Sequence, residues 1–208
     1  MQEQAANDDN AKQQIIFNAP VPNNAVLIVV DVQNGMLNEN TDYIPGAINE
    51  FINNYGSWFT EIIMMRLSGG DTSIYPSERN GKAGAARVLI NSYQSRLVPP
   101  LNKIKCTQVK HKSSTDCNEL INILNGRPAY LCGMSTDTII YPMLACLQNA
   151  GVNVSVVYDL TATTVGTAIQ VAMKPALIHL LGADKVVEAT VPDTTKPLDA
   201  VSVIMQAS

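Results

Sequence analysis

Apolar residues fall along this chain in two rhythms. Uninterrupted runs mark strands buried on both faces, and recurrences at three and four positions mark helices. The run at 25–30, AVLIVV, ends at Asp31 and reads as a central parallel strand. Pro45 and Gly46 then open a helical pattern through Ile48, Phe51, Ile52, Tyr55 and Phe59. Residues 62–65 read as the next strand, ending at Arg66, and 105–109 as a weaker one that runs into Lys110, His111 and Lys112. Between these two strands, 68–84 reads as a long polar excursion over the sheet edge, and 85–93 as a helix, with Pro99 and Pro100 closing the region.

The second half repeats the alternation. Residues 115–125 carry a helix start, with Thr115 or Asp116 as cap and Glu119 in the first turn. Residues 130–132 read as a strand that breaks at Gly133 and feeds a helix over 136–149, capped by Asp137 or Thr136, with Ser135 a weaker candidate. A strand at 152–158 is stopped by Asp159, 161–164 forms a polar loop, a helix over 165–181 is interrupted at Pro175, and 183–188 gives a sixth strand. The pattern predicts a three-layer α/β/α domain over 21–190 with a doubly wound, mostly parallel six-stranded sheet. Residues 1–20 read as a flexible leader, with Ile15, Ile16 and Phe17 able to lie against the domain, and 191–208 as a tail.

Composition narrows the function classes. The chain has 208 residues, 46% hydrophobic and 15% charged, which suits one sizeable core. Fourteen basic against eighteen acidic side chains give a net charge of -4 with no basic stripe, so nucleic acid is not expected as a partner. The opening residues lack a secretory pattern and no apolar run is long enough for a bilayer. A cytoplasmic protein without a membrane partner is expected. Cys106, Cys117, Cys132 and Cys146 lack paired spacing and read as free thiols. His111 and His179 are the only histidines; an ordinary two-His zinc site would require both to meet, and no metal or other cofactor is expected.

Polar groups gather at strand ends. Asp31, Lys110 and the 133–139 turn would converge on one edge of the sheet, placing a carboxylate beside a cation and first-turn amides. The plainer reading has Asp31 accepting loop amides and Lys110 facing water. Gln33 and Asn34 could contact a substrate or bond to local backbone. Ser135 is a poor nucleophile without a histidine base. Cys117, at a helix start after Lys110, is the thiol with the best claim to reactivity.

The stretch AVLIVVDVQNGM resembles the opening signature of the isochorismatase-like hydrolases, the superfamily of cysteine hydrolases related to nicotinamidases. GMSTDTIIYPMLACLQNAG resembles their second signature. The resemblance places the catalytic Asp on Asp31, the Lys on Lys110 and the nucleophilic Cys on Ile139. It also implies a cis peptide between Met134 and Ser135 that turns amides toward an oxyanion. An isoleucine cannot form a thioester, so covalent amide hydrolysis is not expected. Some members cleave the vinyl ether of isochorismate without a cysteine. That route implies Asp31 as acid, Lys110 against a substrate carboxylate, and Arg66, Arg79 or Arg87 as further contacts to a small anionic molecule. The alternative is a pseudoenzyme serving as a binding or assembly module. Family members that bind zinc use histidines after the second strand, which residues 66–76 lack. The resemblance also implies a homodimer or higher homo-oligomer.

Overall fold

The computed structural model describes residues 16–67, 91–112 and 117–190. After a short strand β1 (Ile16–Phe17), the chain lays down β2 (Val26–Val30), helix α1 (Ile44–Tyr55), β3 (Glu61–Leu67), β4 (Gln108–Lys112), α2 (Asn118–Leu124) and β5 (Ala129–Met134). Helix α3 (Tyr141–Asn149), β6 (Val154–Ala162), α4 (Thr167–Leu181), β7 (Val186–Val187) and β8 (Ala189–Thr190) follow. Six strands form one sheet in the order β4-β3-β2-β5-β6-β7, and every adjacent pair is parallel. β2 takes the centre because all five of its residues are apolar and buried, with no polar face to show to water.

The order fixes where a site belongs. From β2 the chain moves outward through β3 to β4, then returns to place β5 on the other flank of β2. Connections leave β2 and β5 in opposite directions, which opens a crevice beyond their carboxyl ends. On one face of the sheet, α1 presents Ile44, Ile48, Phe51 and Ile52 to Leu27, Val29 and Met64. On the other, Leu120 and Leu124 of α2 and Met143, Leu144 and Leu147 of α3 cover Val26, Ile28, Val30 and Leu131.

Several elements differ from the sequence expectation. β6 does not stop at Asp159. Its pairing with β5 shifts register between Leu131 and Gly133 and resumes as Gly133 with Thr161 and Met134 with Ala162, so the strand absorbs part of the expected 161–164 loop. Helix α4 passes through Pro175 without interruption. Val171, whose carbonyl the proline leaves without a helical donor, is exposed, and water can satisfy it. The sixth strand shrinks to two residues after a short turn of 3-10 helix at Ala183–Lys185.

Ile16 and Phe17 fall within the stretch read as a leader, yet they pair antiparallel with Ala189 and Thr190. Phe17 is buried, edge-on to Phe51 at 5.0 Å between ring centroids and to Tyr55 at 5.7 Å. The two ends of the described chain are thereby clasped onto the α1 face. Residues 68–84, Thr115 and Asp116 lie outside the described residues, as does the expected 85–93 helix except for 91–93, which are turn.

Candidate functional site

At the crevice, β2 and β5 come close enough that only one residue type fits. A Cβ on Gly133 would stand 2.1 Å from the Val30 carbonyl oxygen, and Gly133 has φ +115°. Glycine there lets the strand ends close up. Asp31 follows Val30 with φ +53°, a left-handed conformation that a carboxylate residue tolerates better than most but still at some cost. Its amide donates to the Met65 carbonyl at 3.0 Å, its carbonyl accepts from the Gln33 amide at 2.9 Å, and the residue is fully buried. The sequence placed Asp31 at this strand end, and the backbone bends there to redirect the chain.

Lys110 lies two strands away. Its register partner is Met65, which pairs with Val30, so Lys110 stands level with the residue before Asp31. Two interstrand spacings put the Val30 and Lys110 backbones roughly 10 Å apart. The ammonium is engaged elsewhere, 3.0 Å from a Glu119 carboxylate oxygen, with the Lys110 side chain 31% exposed and that of Glu119 65% exposed. Such a surface pair contributes little to stability. It does occupy one of the ammonium's hydrogen-bond donors.

The turn after β5 carries the cis peptide between Met134 and Ser135 that the resemblance implied. Residues Thr136–Ile140 then form one π-helical turn before α3. The amides of Ile139 and Ile140 both donate to the Ser135 carbonyl at 2.9 Å. Neither is directed at a ligand. Met134 is fully buried, and Ile139, 4% exposed, packs in the apolar cluster shared with Ile140, Met143 and Leu144.

None of Ser135, Thr136 and Asp137 caps the helix as expected. Their side chains are drawn to the loop after β6. Ser135 Oγ and Thr163 Oγ1 each donate to Asp137 Oδ1 at 2.8 Å, and the Thr164 amide donates to Ser135 Oγ at 3.2 Å. Thr136 Oγ1 donates to Gln170 Oε1 at 2.7 Å, while Gln170 Nε2 donates to the Thr161 carbonyl at 3.0 Å. Sequence reading missed Thr163 and Gln170; the polar 161–164 stretch was the only signal for Thr163, and Gln170 had none. The network spends the turn's polar groups on holding two loops together.

Gln33 and Asn34 bond to backbone. Gln33, fully buried, donates through Nε2 to the carbonyls of Leu67 at 2.8 Å and Ser95 at 2.9 Å, and its Oε1 accepts from the Leu67 amide at 2.8 Å. The Asn34 amide donates to the Arg96 carbonyl, and its side chain to that of Tyr93, both at 3.0 Å. These bonds tie the 93–98 segment to the ends of β2 and β3. Beside them Arg66 lines a cavity of about 500 Å³ together with Arg96, Asn34 and Asn102. Arg79 and Arg87 lie outside the described residues.

None of the four thiols lies within the 134–140 turn. Cys117 is fully buried against α3, its sulfur 3.7 Å from the Met143 carbonyl oxygen. Burial pushes the Cys132 thiol well above its ordinary range, away from thiolate character. Cys106 and Cys146 are partly exposed, and none of the four is in a disulfide. Among the described residues, no three His, Cys, Asp or Glu side chains cluster as metal ligands would. No described helix is long and apolar enough to cross a membrane.

No protein-family model and no curated protein sequence matches the chain. Solved structures do. A nicotinamidase/pyrazinamidase from Bacillus subtilis superposes with a TM-score of 0.64 at 15% identity, covering 80% of this chain and 100% of that one. An isochorismatase-like hydrolase from Alkaliphilus metalliredigens gives 0.60 at 11% identity, covering 81% and 95%. An N-carbamoylsarcosine amidase from Thermoplasma acidophilum gives 0.62 at 14% identity, covering 83% and 99%. The fold is that of the isochorismatase-like hydrolases, as the two sequence signatures implied.

Proposed function

We propose that this chain uses the isochorismatase-like fold as a binding and assembly scaffold, covalent amide hydrolysis having been lost with the thiol. The observation that carries this reading is Ile139: an isoleucine packed into the core at the turn where the resemblance expects a sulfur nucleophile. The Lys110–Glu119 pair and the inward-bonded amides of Ile139 and Ile140 support it, since each takes up a group that hydrolysis would use. A homo-oligomer belongs to the same proposal. Lys174 is the only Asp, Glu, Lys or Arg residue in α4, whose apolar Val171 and Ile178 are exposed on one face of the helix, a surface suited to a second copy of itself.

One observation favours a second reading. Asp31 is kept buried in a costly left-handed conformation at the topological switch point, where strain accompanies function. In that reading a protonated Asp31 gives its proton to the methylene carbon of an enolpyruvyl ether. Water adds to the resulting oxocarbenium carbon and returns a proton to Asp31, and the hemiketal collapses to pyruvate and the ring alcohol. Lys110 would face the substrate carboxylate.

Pyruvate release from isochorismate, followed by NADH oxidation through lactate dehydrogenase, separates the two. The binding reading expects none above background. Release by the wild type that disappears in Asp31→Asn replaces it with the second.

A further inference from the structure

We propose that the cavity between the end of β3 and the 93–102 segment is a binding site for a small organic oxyanion, a carboxylate or phosphate monoester carrying an apolar body. It is separate from the crevice residues Lys110 and Ile139. Val109 lines it, and Val109 alternates with Lys110 along β4, so the cavity opens on the α1 face of the sheet while Lys110 points to the α2 face.

Its size and lining define the ligand. A volume of about 500 Å³ falls in the range of small-molecule sites. Arg66 and Arg96, with Asn34 and Asn102, are among the residues that line it, and none of the described residues lining it is acidic. A guanidinium fork matches two oxygens of a carboxylate or phosphate. Leu97 and Val109 supply an apolar side that a bare inorganic anion would leave unused.

The walls are held before any ligand arrives. Buried Gln33 clamps Leu67, next to Arg66, to Ser95, next to Arg96, through one side-chain amide. The Asn34 amide fixes the Arg96 carbonyl directly. Gln33 is thus a positioning residue for this cavity, and preorganisation of this kind raises affinity by removing ordering costs.

The inference deepens the binding reading above and rests on it for the use of the fold, but its test is independent. Titration calorimetry at low ionic strength uses phthalate and phenyl phosphate as probes, with benzyl alcohol as the uncharged control and sulfate as the bare ion. Wild type, Arg96→Ala, Arg96→Lys and the distant control Lys185→Ala are compared after thermal melts establish that each folds. At least one organic anion binds wild type more tightly than sulfate or benzyl alcohol. Arg96→Ala weakens it tenfold or more, Arg96→Lys falls between, and Lys185→Ala leaves it unchanged. Benzyl alcohol or sulfate binding equally well, an unchanged Arg96→Ala affinity, or no binding of either probe overturns the site. Pyruvate release assayed on the same samples keeps the two proposals apart. Turnover with intact Arg96-dependent binding defeats the scaffold reading and leaves this site; neither turnover nor binding does the reverse.

Discussion

Replacing Asp137 tests whether the turn after β5 is held as a structural tie. Its Oδ1 accepts hydrogen bonds from Ser135 and Thr163, both at 2.8 Å, and so joins two loops 26 residues apart in sequence. Hydrogen bonds to a charged acceptor contribute about 1.5–3 kcal/mol each. Partial exposure of Asp137 reduces that, leaving about 2–3 kcal/mol for the pair. Asp137→Ala should lose this amount. Asp137→Asn keeps a carbonyl acceptor for both hydroxyls, and neutral bonds are roughly half as strong, so it should lose about 1–1.5 kcal/mol. Urea unfolding gives the midpoints, with m expected to stay constant. Thr163→Val in both backgrounds closes a double-mutant cycle, and its cost should shrink when Asp137 is already alanine. An Asp137→Ala cost below about 0.5 kcal/mol, or an asparagine as damaging as alanine, refutes the tie.

Three further outcomes follow from the fold. Phe17→Ala removes a buried ring from the aromatic cluster and should cost about 3–5 kcal/mol. At about 2–4 °C per kcal/mol for a chain of this size, thermal melting should fall by roughly 6–20 °C; a shift under about 2 °C contradicts the clasp. Burial, then the nearby Glu188, raise the Asp159 pKa against the lowering effect of the Ala189 amide and Lys174. Its raised folded pKa means that ionisation costs stability as pH rises through that value, so Asp159→Asn should be more stable than wild type near neutrality. The gap should close as pH falls below the unfolded aspartate range; a gap that widens on acidification contradicts the assignment. The double variant Val171→Lys, Ile178→Lys should lower the light-scattering mass to that of a monomer if α4 joins two copies, and an unchanged mass contradicts that interface.

The sheet was legible because a strand buried on both faces leaves an uninterrupted apolar run, as AVLIVV does. Features set by distant partners were not. Thr136 and Asp137 resemble helix caps locally, and only Thr163 and Gln170, brought alongside by β6 and α4, explain why they cap nothing. Asp159 looked like a strand terminator, but its carboxylate accepts the Ala189 amide and β6 continues past it. The candidate residues divide in the same way. Asp31 and Ile139 were visible in two signatures, whereas Arg96 carries no local pattern and enters the cavity because Gln33 and Asn34 fix its backbone.

The most direct measurement of the central claim is ammonia release from nicotinamide and pyrazinamide, whose amidases are among the structural neighbours, by wild type and Asp31→Asn. On the proposed reading, in which Ile139 holds the nucleophile position, both proteins should match the buffer blank. Turnover by wild type that Asp31→Asn abolishes would show amide hydrolysis without sulfur at that turn and would contradict the account.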